Sequence, residues 1–137
     1  LFYREGTEIP LDIYIASYIH IYQHRKIREK IIDLREENEF ISHIWNIDDI
    51  QLVRDVISKL ERKIHNREYE KDYKRPMTGI AFKADIYSLG ITFALCLAQL
   101  RIDLTNELRD LLFHMLNIDP WVRYNVEECL AHKFFQN

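Results

Sequence analysis

Asp85-Ile86-Tyr87-Ser88-Leu89-Gly90-Ile91-Thr92-Phe93-Ala94-Leu95-Cys96-Leu97-Ala98-Gln99-Leu100 is the stretch on which the fold turns. No proline interrupts it, and apolar side chains fall on nearly every side of a 3.6-residue turn. That is the pattern of a helix buried in the middle of a domain. Asp85 is expected to cap it, because a short carboxylate accepts from the first unpaired backbone N–H groups. Leu89, Leu95 and Leu97 then sit on a helix without a polar face, so Leu95→Ala is expected to cost about 2–5 kcal/mol. From Ile86 to Leu100 the run is shorter than the ~20 residues of a membrane helix. Arg101 and Asp103 follow it directly.

Outward toward the C-terminus, a short break at Arg101–Thr105 separates this helix from a second. The second carries Leu108, Leu111, Leu112, Met115 and Leu116 on one stripe. Asp119-Pro120 ends it, since the residue before a proline is pushed out of helical conformation. A last short helix is expected to start at Asn125, where Asn125 and Glu128 have the spacing of a capping box, and to end near His132. Phe134 and Phe135 would then supply an aromatic plug for the core.

Outward toward the N-terminus, Arg75-Pro76-Met77-Thr78-Gly79 breaks the structure. Before it, residues 66–74 are almost wholly polar, a solvated helix end or a linker. Asn46 or Asp48 can start a helix with an apolar stripe of Ile50, Val53, Val56 or Ile57, Leu60 and Ile64. Lys59 and Lys63 on it can answer acidic neighbours such as Asp55 at helical spacing, for a few tenths of a kcal/mol each. Ile27, Ile31, Leu34, Ile41 and Ile44 also recur with helical period. So do Ile13, Ala16, Ile19 and Tyr22, behind Asp12 as a cap. Residues 1–10 read as a lead-in. No stretch reads as a strand, no repeat is visible, and the class is all-α.

The 137 residues suffice for one domain with a real core. Apolar residues at 47 % and charged residues at 30 % describe a soluble globular chain rather than a disordered one. A net charge of −3 gives no field that would gather nucleic acid or an anionic membrane, so neither is expected as a partner. The basic cluster His24, Arg25, Lys26, Arg28 and Lys30 is followed by Asp33, Glu36, Glu37 and Glu39, which would repel phosphate. His20 and His24 stand four apart without a third ligand, so no metal site is expected. Cys96 and Cys129 have no partner at ligand spacing and read as buried free thiols in a reducing compartment. Trp45 and Trp121 read as core or groove-lining residues. No signal peptide is visible, with Arg4, Glu5 and Glu8 near the start, and an intracellular, cytoplasmic protein is expected. Its first residue being Leu, the chain is expected to be a piece of a longer protein.

Three short motifs carry more. Lys83-Ala84-Asp85-Ile86-Tyr87-Ser88-Leu89-Gly90-Ile91 resembles the start of the central buried helix of protein-kinase C-lobes, whose pattern is Asp-hydrophobic-Trp/Tyr-Ser-hydrophobic-Gly. Leu112-Phe113-His114-Met115-Leu116-Asn117-Ile118-Asp119-Pro120-Trp121-Val122-Arg123 is similar to the kinase helix that ends in Leu-x-x-Asp-Pro-x-x-Arg. Glu128-Cys129-Leu130-Ala131-His132-Lys133-Phe134-Phe135 resembles the closing Glu-x-Leu-x-His-Pro-Phe-Phe. Each match is weak alone, and the three stand in the family's order over residues 80–135. The resemblance implies structural roles for Asp85, Tyr87, Gly90, Asp119, Pro120, Arg123 and His132. By resemblance, Asp85 holds the catalytic-loop backbone and Gly90 allows close backbone approach. Arg123 likewise pairs with the Glu of an Ala-Pro-Glu motif.

The departures bound the function. No glycine-rich loop, strand lysine, His-Arg-Asp or Asp-Phe-Gly is present. His24-Arg25-Lys26 lacks the third-place Asp, and Ile31-Ile32-Asp33-Leu34-Arg35 lacks a following Gly. No catalytic, cofactor-binding or metal residue is therefore assigned. Arg75-Pro76-Met77 has no Glu. Either the Ala-Pro-Glu motif is degenerate here or, the preferred reading, it lies upstream of Leu1 and residues 11–74 are a helical insertion after it. Residues 1–74 are read as a helical segment, and residues 75–137 as the end of the C-lobe. The gap at 100–105 is shorter than in most kinases, and residues 11–74 are a candidate to cover it. A compact lobe with one helix missing and an insert added is similar to divergent kinases of large DNA viruses. The Asp-Pro-x-x-Arg and His-x-Phe-Phe ending resembles the Ser/Thr type. The resemblance implies a parent Ser/Thr kinase that handles ATP and Mg²⁺ with residues upstream of Leu1, has the rest of that domain as partner and acts on a protein substrate. The alternative is a non-catalytic, pseudokinase-like interaction module with the segment Asp48–Ile64 as its partner surface.

Overall fold

A computed structural model describes residues 50–76 and 79–136. The expected helices over 12–22 and 24–45, the lead-in, the basic cluster, His20, His24, Trp45, Met77 and Thr78 lie outside the described residues. Within them the fold is all-α, with no strand.

Helix α1, Ile50–His65, buries Val56, Ile57 and Leu60 from its apolar stripe. Arg62, Lys63 and His65 in its last turn suit the negative end of the helix dipole. Arg67 stops it by taking a left-handed conformation, φ 58°, that reverses the chain. Helix α2, Glu68–Tyr73, follows at once. The polar run 66–74 is thus a helix and not a linker. Tyr69, its one buried residue, anchors it in a way that average polarity does not reveal.

Helix α3 spans Ile80–Leu100 and starts at Gly79, six residues before Asp85. An added Cβ on Gly79 would lie 2.6 Å from the Arg75 carbonyl oxygen and 2.8 Å from those of Asp72 and Tyr73. Only glycine lets the end of α2 approach this closely. Ile80-Ala81-Phe82-Lys83-Ala84 contains no helix breaker and continues the apolar run backward. Asp85 is therefore an exposed interior residue of α3 and not its cap. At 21 residues, α3 is the one helix among the described residues long and apolar enough to span a membrane, which the shorter reading from Ile86 did not allow. It ends in a Schellman motif: Ile102 N–H donates to the Leu97 carbonyl at 3.1 Å and Arg101 N–H to Ala98 at 3.3 Å. Arg101 takes the left-handed position there, φ 53°.

Thr105 caps helix α4, Asn106–Met115, its side chain accepting from Leu108 N–H. Asn125 and Glu128 form the expected capping box of helix α5, Val126–Leu130. A 3₁₀ turn, Lys133–Phe135, closes the described chain.

The main core joins Ile86, Tyr87, Ile91 and Ala94 of α3, Leu111, Leu112, Met115 and Leu116 in and after α4, and Cys129 of α5. Gly90 faces α4 so closely that a Cβ would meet Leu116 at 3.0–3.2 Å and the Met115 Cβ at 3.2 Å. The far side of α3 is open. Leu89 is 47 % and Leu95 38 % exposed, so the expected core role of Leu95 does not hold in this chain. Four residues beyond buried Ile91, it lies at the margin of the packed side rather than within it. Cys96 is exposed as well, while Cys129 is buried. Phe134 and Phe135 form an edge-to-face pair at 5.1 Å that remains exposed and does not plug the core, because the 3₁₀ turn carries them over the end of the domain.

Candidate functional site

The turn Asn117–Arg123 gathers most of the motif residues. Asn117 Oδ1 accepts from Asp119 N–H at 3.0 Å, and Asp119 Oδ1 accepts from Trp121 N–H at 2.9 Å. These are two consecutive side-chain-closed turns. The Asp119 carbonyl then accepts from Val122 and Arg123 N–H at 3.1 and 2.9 Å. Pro120 is buried between them, its fixed φ suiting the turn. Arg123 is fully buried. Its Nε donates to the Asn117 carbonyl at 2.8 Å, and Nη1 donates to the Lys83 carbonyl at 3.3 Å. The guanidinium lies 5.0 Å from the centre of the Tyr87 ring, a cation–π distance. Tyr87, Asp119, Pro120 and Arg123 are thus brought together, with Gly90 one helical turn along α3 from Tyr87. Asp85 stays apart on the exposed side.

Trp121, read only as a core or groove residue, is the hub of this region. Its indole N–H donates to Asp72 Oδ2 at 2.9 Å, and Lys83 Nζ donates to its carbonyl at 3.2 Å. Lys63 Nζ sits 4.2 Å and Lys59 Nζ 5.2 Å from the ring centre, and Tyr69 meets the ring edge-on at 6.3 Å. Lys59 also pairs with Asp119 at 3.0 Å, and Lys63 with Asp72 at 3.4 Å. Side chains from α1 and α2 therefore grip the turn between α4 and α5. The indole hydrogen bond, helped by Lys63 and Arg75, holds the Asp72 carboxyl below its ordinary value despite some burial. Burial pushes the Lys83 ammonium down, against the pull of Glu128 and Asp119.

His132 lies at the other end of the motif series. Its Nδ1 accepts from Phe134 N–H at 3.1 Å, which leaves the proton of the neutral ring on Nε2. Nε2 meets Asp110 Oδ2 at 2.7 Å. That bond is the main reason the Asp110 carboxyl lies below its ordinary value, with His114 at 3.7 Å adding to it. His114 in turn stacks flat on Tyr124 at 4.1 Å. Beside this pair an open cleft of about 710 Å³ is lined by Asn106, Glu107, Asp110, Tyr124, Glu128 and His132 among others.

A carboxylate–histidine pair needs a hydroxyl or thiol within reach to become a nucleophilic site. No serine, threonine or cysteine lines the cleft, and its one hydroxyl is the phenol of Tyr124, stacked on His114. Burial raises the Cys129 thiol to about 11, so it is protonated and unreactive at neutral pH. Among the described residues no group of three His, Cys, Asp or Glu side chains is arranged to hold a metal ion. The two clusters hold backbone in place: one locks the α4–α5 turn, the other fixes the C-terminal turn against α4. No signal in the sequence could have paired His132 with Asp110 or Trp121 with Asp72, because these contacts cross 22 and 49 residues.

No family model, no curated protein and no solved structure matches this chain.

Proposed function

We propose that this chain is the C-terminal part of a Ser/Thr-type protein-kinase domain, with phosphoryl transfer from Mg-ATP carried by residues upstream of Leu1. The chain by itself is not the catalyst. The observation that carries the reading is the uncovered side of α3. Phe82, Leu89, Phe93, Cys96 and Leu100 recur at intervals of seven, four, three and four and are all exposed, opposite a side that is packed into the core. An exposed apolar stripe of this length is normally covered by another element, and such a cover is what the rest of a kinase domain would provide. The order of the three motifs and the burial of Arg123 beneath the Asp-Pro turn support the same reading. An intracellular location, where ATP and protein substrates meet, goes with it.

The same stripe favours a second reading, a non-catalytic helical module that docks another protein through α3. The segment Asp48–Ile64 is less suited to that role, because its Val56, Ile57 and Leu60 are already buried within the chain.

Extending the reading frame upstream tests the proposal. The extended protein should bind Mg-ATP saturably and transfer phosphate to a protein substrate. Its Cys96 should be slow to alkylate, whereas in the present chain Cys96 should react readily and buried Cys129 should not. An extended protein that protects Cys96 but neither binds ATP nor transfers phosphate would leave the docking module. A Cys96 equally reactive in both would sink the idea that upstream chain encloses α3.

A further inference from the structure

We draw no further inference here: the strongest candidate, the open cleft between α4 and the C-terminal turn lined by Tyr124, His132 and the carboxylates of Glu107, Asp110 and Glu128, is an acidic cluster whose Asp110 and His132 already satisfy one another, and nothing in the structure shows what it would hold.

Discussion

On the inner side of α3, Ile86, Tyr87, Ile91 and Ala94 are closed in by α4 and α5, whereas Phe82, Leu89, Phe93 and Leu100 on the outer side are exposed. Composition does not distinguish the two sides, since both are aliphatic and aromatic. What differs is the neighbour. Gly90 lets Leu116 and Met115 come within van der Waals contact of the backbone on one side, and no described helix does the same on the other. The amphipathic pattern that usually reveals which face of a helix is buried is absent here, so tertiary contact alone makes the assignment.

The largest expected effect breaks that comparison directly. Ile91→Ala, at a fully buried position, should lower stability by about 2–5 kcal/mol. Leu89→Ala and Leu95→Ala in the same chain should cost less than about 1 kcal/mol, as exposed substitutions do. Urea titrations of the three variants decide it, and equal losses would mean that the outer side is enclosed in solution. Next in size is Arg123→Ala. It strips the buried hydrogen-bond partner from the Asn117 and Lys83 carbonyls and should cost about 2–4 kcal/mol. Arg123→Lys should recover only part of that, because an ammonium cannot reproduce the planar fork.

A smaller effect of opposite sign is expected at the C-terminal end of α3. Arg101 holds a left-handed conformation that costs a side-chain-bearing residue about 1–2 kcal/mol. Arg101→Gly removes that cost while loosening the unfolded chain, so thermal unfolding should show a net gain of up to about 1 kcal/mol. The smallest effects concern acid. Asp72 and Asp110 are both held below the ordinary carboxyl value in the folded chain. The unfolded state therefore takes up protons first as pH falls. Their stabilisation is complete above the ordinary value near 4 and disappears as pH drops through the lowered folded values. Trp121→Phe, which removes the chief cause at Asp72, should shrink the Asp72 part of this loss, and Asp110→Asn should remove the Asp110 part. Unfolding free energies measured between pH 2 and 5 would be read against the wild-type slope, and an unchanged slope in both variants would overturn the assignment.

The features legible in the sequence were those written within one helical turn. Asn125 and Glu128 announce their capping box because both partners lie three residues apart. The stripe Val56, Ile57 and Leu60 is likewise local. Asp85 misled because aspartate is a good cap wherever it stands, while the true start at Gly79 is fixed by contact with carbonyls four to seven residues back. Tyr69 was hidden in a polar run, since its burial depends on Trp121 far along the chain. At the candidate site the motif order pointed to Asp119, Pro120 and Arg123, but the grip of Lys59, Lys63 and Asp72 on the same turn has no local signature.

That grip also sets a clock on synthesis. Lys59 and Asp72 leave the ribosome 60 and 49 residues ahead of Asp119 and Trp121, the groups they hold. At roughly 5–20 residues per second, α1 and α2 wait about 2–12 s before the turn that secures them has been made. During that interval Lys59 and Lys63 have no Asp119 or indole to engage. Helices α1 and α2 can thus form early but dock only once the α4–α5 turn has emerged.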